Sequence, residues 1–160
     1  MRALALFAAL YAPTALAEEN GILGTWAGEY ICNQGVTGLT LTVQDVGTAR
    51  MRALFHFYES PKNPGVPEGC FLMAGTVDPD SGTVSLTGGR WLMRPEGYSA
   101  VDMSGAISPD GLRFAGSLSP ELNCTDFVLD RLTEARPTPL ECSPDMLVGS
   151  ADTGHSAPRR

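Results

Sequence analysis

The sequence predicts an all-β protein, an eight-stranded antiparallel up-and-down β-barrel, on three observations. Apolar and polar residues alternate with a period of two in eight separate runs. Turn signals rich in Pro, Asp and Gly separate several of these runs, and no segment keeps a helical period. Eight strands joined by hairpins lose their exposed edges when the sheet closes into a barrel. A two-sheet β-sandwich is the alternative architecture.

The N-terminus has the features of a secretory signal peptide over residues 1–17. A basic second residue precedes an apolar run over residues 3–12, and the small-residue pattern Ala15-Leu16-Ala17 follows. The run is shorter than the roughly 20 residues that span a bilayer. We therefore predict cleavage near Ala17 and export to the periplasm or the extracellular space. The mature chain then comprises a barrel domain over residues 18–132 and a Pro-rich, largely extended tail over residues 133–160.

The charge balance is acidic and disfavours two classes of partner. The chain has 11 Lys and Arg residues against 18 Asp and Glu residues, a net charge of −7. Proteins that bind nucleic acid gain affinity by neutralising phosphates with cationic side chains, which this chain lacks in number. We expect no nucleic acid partner and no membrane insertion, and a soluble, monomeric protein.

The first strand is predicted from Gly24 to Cys32, with a large aromatic residue, Trp26, near its start. A Gly-rich hairpin over residues 33–35 leads into the second strand. The other seven strands are predicted by residues that share one face in each run. In chain order these are Thr37, Leu39, Leu41 and Val43; Met51, Ala53, Phe55 and Phe57; Phe71, Met73, Gly75 and Val77; Val84 and Leu86, continuing to Trp91 or Met93; Val101, Met103, Gly105 and Ile107; Leu112, Phe114, Gly116 and Leu118; and Phe127, Leu129 and Arg131.

Alternate loops of such a meander emerge at the same end of the barrel. Short loops over residues 44–49, 78–82 and 108–111 indicate a closed end. The opposite, open end carries the long loop 58–69, and a Pro- and Gly-rich loop over a barrel mouth is where binding residues tend to lie. The candidate ligand-binding residues at this end are Tyr58, Lys62, Asn63, Trp91, Arg94, Glu96 and Tyr98.

Four cysteines in an exported chain predict two disulfides. They contain no Cys-x-x-Cys pair, so we predict neither a zinc site nor a redox motif. Three connectivities are open. Closing the barrel brings Cys32, at the end of the first strand, near Cys124, at the start of the last, and leaves Cys70 with Cys142. That pairing requires a bulge or a frayed strand end, because Cys124 has the opposite parity to its strand's inward residues.

The sequence contains no recognisable catalytic constellation. His56 is predicted to be an ordinary surface histidine, without the nucleophile that a Ser-His-Asp site requires. The spacing Asp78-x-Asp80-x-Gly82 begins like a calcium loop but lacks the glutamate that completes one, so a hairpin turn is expected. We predict that the protein is not an enzyme and holds no metal ion or cofactor.

Two features at the predicted closed end carry a family resemblance. Gly24-Thr25-Trp26 on the first strand and Arg131 on the last resemble the calycins, the lipocalin and avidin group. The resemblance implies that Trp26 packs against the Arg131 guanidinium and seals the barrel floor, a contact worth about 1 kcal/mol or more. Residues 26–35 also resemble the Trp-x-Gly-x-Tyr-x-Cys-x-Gln-Gly opening of bacterial exported modules of uncharacterised activity, which implies export.

These observations lead to an expectation about function. We expect an exported, non-enzymatic binding module that engages a small apolar or anionic ligand, or a secreted or periplasmic partner protein, at its open end. Trp91 and Tyr98 would supply aromatic surface, and Lys62 and Arg94 would hold an anionic group. The alternative is an inhibitor of a secreted hydrolase that acts through loop 58–69 or the tail.

Overall fold

The computed structural model describes residues 21–46, 50–78, 80–134 and 137–143. The signal peptide expected at residues 1–17 lies outside these ranges, as does most of the predicted tail. The described chain forms eight strands and two short 3-10 helices, Pro120–Leu122 and Leu140–Cys142. The strands are β1 (Gly24–Cys32), β2 (Gly35–Asp45), β3 (Arg50–Glu59), β4 (Gly69–Val77), β5 (Thr83–Met93), β6 (Met103–Ile107), β7 (Arg113–Leu118) and β8 (Asp126–Arg131).

The eight strands form one closed antiparallel barrel in sequence order. Each strand pairs with its neighbour in the chain, and β1 pairs with β8 to close the sheet, from Trp26 opposite Arg131 to Tyr30 opposite Phe127. The predicted up-and-down barrel is confirmed, and the two-sheet sandwich is not formed. No helix in the described ranges is both long and apolar enough to cross a bilayer.

Large apolar side chains fill the barrel from its closed end to its middle. Trp26, Phe114 and Phe127 are fully buried, and Phe114 contacts both Trp26 and Phe127 edge to face. An inner-face glycine makes room for one of them: an added Cβ at Gly105 would lie 2.8 Å from Phe127 Cζ. The small inner residues thus allow a narrow barrel to hold large aromatic rings.

Two disulfides join Cys32 to Cys124 and Cys70 to Cys142, the pairs that barrel closure favours. The frayed end that parity requires is present, because the regular β1–β8 ladder stops at Tyr30 and Phe127. Beyond it Asn123 adopts a left-handed conformation, with φ of 54°, and turns the chain so that Cys124 reaches Cys32. Both bonds fit an oxidising extracellular or periplasmic location.

The prediction that His56 is a surface residue is wrong. Its side chain points outward from β3 but is only 4% exposed, because other segments cover this part of the outer wall. Its Nε2 lies 2.7 Å from Glu68 Oε1, and Cys70 lies opposite it on β4, tied to the tail through Cys142. Sequence alternation alone does not reveal such a cover, since the covering segments are distant in the chain.

Two strand starts also differ from the sequence prediction. Leu112 was expected on the inner face of the seventh strand, but it is 58% exposed and precedes β7. Its backbone N–H donates to the Asp110 carboxylate at 3.1 Å, which extends the turn by one residue. Val101 precedes β6 rather than lying in it, yet its side chain is buried.

A cavity at the open end of the barrel

The two ends of the barrel differ in how they are closed. At one end Trp26 lies under the guanidinium of Arg131, whose Cζ is 4.1 Å from the ring centroid. The same guanidinium donates to the carbonyl oxygens of Gly111 and Leu23, each at 2.8 Å, and to that of Gly21. Five polar N–H groups in a planar fork allow Arg131 to join the chain before β1 to the turn before β7. This end is sealed.

The opposite end holds a cavity of about 370 Å³, within the size range of small-molecule sites. It lies between the β1–β2 hairpin, the inner face of β3 and β4, the loop before β6, and the segment before β8. The side chains and backbone that line it are Tyr30, Cys32, Asn33, Gln34, Phe55, Phe57, Phe71, Gly97, Tyr98, Ser99, Val101, Leu122 and Cys124. None of these residues carries a formal charge.

Aromatic rings form one wall and the floor of this cavity. Phe55 stacks on Phe71 with ring centroids 4.7 Å apart, and Tyr30 meets Phe55 edge-on at 5.4 Å. Tyr98 stacks on Phe57 at 5.3 Å with planes only 13° apart. Rings packed in this way present flat apolar surface that is held in place by its own contacts.

The loop between β5 and β6 carries Tyr98 over the cavity, and Arg94 fixes that loop. Arg94 Nε donates to the Tyr98 carbonyl oxygen at 2.9 Å, and its guanidinium lies over Trp91 with Cζ 5.8 Å from the ring centroid. The Tyr98 N–H donates to Pro95 O at 3.3 Å, which closes the turn. Arg94 therefore positions Tyr98, while its own side chain lies outside the cavity lining.

A cluster of polar side chains, Tyr30, Gln34 and Thr37, lies at the hairpin side of the cavity. Gln34 Nε2 donates to the Tyr30 hydroxyl at 3.1 Å and to Thr37 Oγ1 at 3.2 Å. The Thr37 hydroxyl donates to the Gly35 carbonyl oxygen at 3.2 Å. Asn63, on loop 58–69, donates through Nδ2 to the Gln34 carbonyl oxygen at 2.5 Å. The long loop thus supports the hairpin that carries Gln34.

Burial raises the pKa of the Tyr30 hydroxyl well above its ordinary value of 10.0. Hydrogen bonds from Thr37 and Gln34 favour the phenolate and oppose this shift, but desolvation is the largest contribution. Tyr30 is therefore a neutral phenol throughout the physiological pH range. A neutral phenol keeps its hydrogen and can donate it.

A second polar group fixes loop 58–69 to the outside of the barrel. Ser60 Oγ donates to Glu29 Oε1 at 2.7 Å, and Lys62 Nζ donates to Glu29 Oε2 at 2.5 Å. The hydrogen bond from Lys62, followed by that from Ser60, lowers the pKa of the Glu29 carboxyl below its ordinary value of 4.5. The Lys62 ammonium is thus held by a carboxylate on the outer face of β1.

The structure separates the seven residues expected at the ligand site. Tyr98 lines the cavity. Trp91 lies behind the wall, in contact with Phe57 and Phe71 at 6.1 and 4.8 Å between centroids. Arg94 and Asn63 hold the segments that carry Tyr98 and Gln34.

The other three lie away from the cavity lining. Tyr58 and Lys62 lie on the outer side, where the Tyr58 hydroxyl is 3.1 Å from Thr40 Oγ1, and Glu96 is exposed at the loop tip.

Sequence reasoning missed Tyr30, Gln34, Val101 and Leu122 as cavity residues. Tyr30 and Gln34 stand inside the Trp-x-Gly-x-Tyr-x-Cys-x-Gln-Gly stretch, and the parity of Tyr30 with Trp26 was a usable signal that it faces inward. Val101 was expected on the inner face of the sixth strand, and its buried side chain agrees with that parity. Leu122 lies in the 3-10 helix Pro120–Leu122, where no period of two indicates direction. Among the residues that the structure describes, no three His, Cys, Asp or Glu side chains are grouped as metal ligands.

Comparisons with protein-family models, with curated proteins and with solved structures give no match to this chain. What can be said of function therefore depends on the barrel, its two differing ends and the chemistry of the cavity lining. An eight-stranded closed antiparallel barrel is compatible with the calycin-like fold that the Gly-x-Trp stretch suggested.

Proposed function

We propose that this protein is an exported, non-enzymatic module that binds a small, mainly apolar molecule in the open end of its barrel. The observation that carries the proposal is the cavity of about 370 Å³, lined by aromatic rings and a few neutral polar groups. Ligand sites in proteins are concave, mostly apolar and provided with a small number of placed polar atoms. The lining of this cavity has that composition.

The sealed end of the barrel supports the same proposal. The Arg131 guanidinium over Trp26 and its bonds to three carbonyl oxygens cover the core at this end, whereas the aromatic cavity opens at the opposite end. The Trp26–Arg131 contact is also what the resemblance to calycins implies, and we include a calycin-like relationship in the proposal. Export from the cell, after cleavage near Ala17, belongs to it as well.

The cavity chemistry changes one part of the expectation from sequence. Lys62 and Arg94 were expected to hold an anionic group, but Lys62 is bound to Glu29 outside the barrel and Arg94 is bound to the Tyr98 carbonyl oxygen. We therefore propose an apolar, uncharged ligand in preference to an anionic one.

The experiment is a titration with N-phenyl-1-naphthylamine, a neutral apolar probe whose emission rises in a dry site. We expect the wild-type protein to bind it at one site, and Val101→Trp to weaken binding tenfold or more, a loss of about 1.4 kcal/mol. Val101 is buried and lines the cavity, so that a larger side chain fills the space. Leu122→Trp should act in the same way.

The matched control is Val128→Trp, which adds the same side chain on the exposed outer face of β8. It should bind the probe as the wild type does. Absence of probe binding by the wild-type protein, or equal binding by the Val101 and Val128 variants, would overturn the proposal.

The alternative function is inhibition of a secreted hydrolase through loop 58–69. The order of this loop supports it: Ser60 and Lys62 are bound to Glu29, and Asn63 to the Gln34 carbonyl oxygen. Loops that bind hydrolases benefit from being held in one conformation beforehand. The test is inhibition of trypsin by the wild-type protein, compared with a variant whose residues 61–65 are replaced by Gly and Ser. If the wild type does not inhibit, this version is wrong.

A further inference from the structure

The hydrogen bonds among Tyr30, Gln34 and Thr37, beside the cavity, indicate which kind of ligand atom can bind there. Both hydrogens of the Gln34 amide are directed at protein oxygens, on Tyr30 and Thr37, and the Thr37 hydroxyl donates to Gly35 O. The Tyr30 oxygen accepts the Gln34 bond. Its own hydrogen can be donated to Thr37 Oγ1, which also bonds to Tyr30, or to a ligand acceptor in the cavity that Tyr30 lines.

The charge of the cavity lining also determines which ligands can bind beside the Tyr30 hydroxyl. A carboxylate inside the cavity would leave water without a cationic partner, because none of the described residues that line the cavity is charged. Burying an unpaired charge is far more costly than burying a neutral group that accepts one hydrogen bond. The chain's net charge of −7 adds a long-range repulsion for anions.

The flat surfaces of the cavity favour a planar ligand. Phe55 and Phe71 stack nearly parallel, with 17° between their planes, and Tyr98 and Phe57 form a second stacked pair. A planar aromatic molecule can lie against such surfaces with offset-stacked or edge contacts. A flexible chain would lose more conformational entropy on entering.

We propose that the cavity binds an uncharged aromatic molecule with a carbonyl-type acceptor, that Tyr30 donates its hydroxyl hydrogen to that acceptor, and that Gln34 positions the hydroxyl. This inference rests on the proposed function, since it names the ligand class of the same cavity. Tyr30 is the residue that determines specificity, and Asn63 acts through Gln34 by holding the hairpin backbone.

The experiment compares three naphthalenes of similar size on the full-length mature protein. 2-Acetylnaphthalene offers a carbonyl acceptor, 2-isopropenylnaphthalene replaces that oxygen by a methylene group, and 2-naphthoate carries a charge. We expect Tyr30→Phe to weaken binding of the ketone roughly fivefold, the worth of one neutral hydrogen bond. Binding of the hydrocarbon should not change, and 2-naphthoate should bind more weakly than the ketone to both proteins.

Tyr58→Phe is the matched control, because it removes a tyrosine hydroxyl on the outer side of the barrel, beside Thr40. It should leave all three affinities unchanged. Gln34→Leu is the second variant. It should reduce ketone binding relative to hydrocarbon binding, and it keeps the inference testable if Tyr30→Phe does not fold.

The outcomes separate this inference from the proposed function. If the hydrocarbon and the ketone both bind but Tyr30→Phe weakens them equally, the cavity binds ligands and the specificity assigned to Tyr30 is wrong. If 2-naphthoate binds most tightly, the uncharged class is wrong. If none of the three binds and N-phenyl-1-naphthylamine also fails, both proposals are overturned.

Discussion

At the scale of single residues, Arg131 has the largest number of separate roles. Its guanidinium covers the Trp26 ring and bonds to carbonyl oxygens from the start of β1 and from the turn before β7. Trp26 in turn donates its indole N–H to the Ile22 carbonyl oxygen at 2.7 Å. These contacts satisfy backbone groups at the sealed end that the β-ladders leave unpaired.

Arg131→Met should therefore lower the free energy of unfolding by about 2–4 kcal/mol, through loss of the cation–π contact and of charge-assisted hydrogen bonds. The free energy of unfolding of Arg131→Lys should lie between those of the wild type and Arg131→Met, because lysine keeps the charge but lacks the planar fork. Chemical denaturation followed by fluorescence measures both. Arg113→Met is the control: Arg113 forms an exposed pair with Asp130, so a loss below about 1 kcal/mol is expected. Equal effects at positions 131 and 113 would contradict this account.

The hydrogen bonds of the Glu29 carboxylate predict that the stability of the protein depends on pH. Its folded-state pKa is lowered by the hydrogen bonds from Lys62 and Ser60. A lowered pKa stabilises the folded protein above the unfolded-state pKa, near 4.5, and that contribution is lost as pH falls through the folded-state pKa. Glu29 is 35% exposed, so the contribution at neutral pH is expected to be below about 1 kcal/mol.

The measurement is the difference in unfolding free energy between wild type and Glu29→Gln at pH 7 and at about pH 3. We expect the difference to shrink towards zero in acid. Lys62→Met should reproduce the loss of pH dependence, because it removes the largest cause of the shift. A difference that stays constant across this range would show that Glu29 does not contribute in this way.

At the scale of elements, close contact between β6 and β7 depends on paired inner glycines. Gly105 lies opposite Gly116 in the ladder, and Phe127 on β8 occupies the space that side chains there would take. An added Cβ at Gly105 would lie 2.8 Å from Phe127 Cζ. The small residues on two strands thus accommodate the large residue on a third.

Gly116→Ala should lower the free energy of unfolding by about 1–3 kcal/mol, because the new methyl group meets backbone atoms that cannot move aside. Denaturant titration measures the change. Gly89→Ala is the comparison, since an added Cβ there has its nearest neighbour at 3.1 Å and the residue is exposed. Its effect should stay within about 1 kcal/mol. Equal destabilisation by the two variants would contradict the packing argument.

At the scale of the whole molecule, eight strands enclose one main core, so that the sealed end and the open end share the same sheet. Trp26 and Trp91 are the two tryptophans of the chain, one buried at the sealed end and one beside the cavity wall. A closed sheet with one core is expected to unfold as a single cooperative unit.

The Trp91→Phe variant leaves Trp26 as the fluorescent reporter of the sealed end, while far-UV circular dichroism reports all the strands. With both disulfides intact, the two signals should give the same urea midpoint. Separate midpoints would show that the two ends of the barrel unfold independently. The sealed end would then not belong to the same cooperative unit as the open end.

Much of this architecture was predictable because strand alternation is a local property. The inward series from Leu39 to Val43 on β2 and from Met51 to Phe57 on β3 could be read directly. The antiparallel order of the strands placed Trp26 and Arg131 at the same end. The predicted disulfides followed from closure of the sheet, since strands one and eight must then be neighbours.

The burial of His56 and the composition of the cavity were not predictable in this way. Both depend on segments without periodicity, such as the loop that carries Glu68 and the loop that carries Tyr98. Lys62 and Arg94 were predicted to contact a ligand, but each is bound within the protein, Lys62 to Glu29 and Arg94 to the Tyr98 carbonyl oxygen. Charged side chains that the sequence does not pair with any other residue are often paired within the folded protein.

The amino-acid sequence by itself determined the eight strands, their order and the sealed end of this protein, because period-two patterning and turn residues act between near neighbours in the chain. Only the tertiary structure decided that Tyr30, Gln34 and Tyr98 share a cavity and that Lys62 and Arg94 do not. The physical reason is that side chains on loops are directed by contacts with distant segments, and these contacts exist only after the sheet has closed.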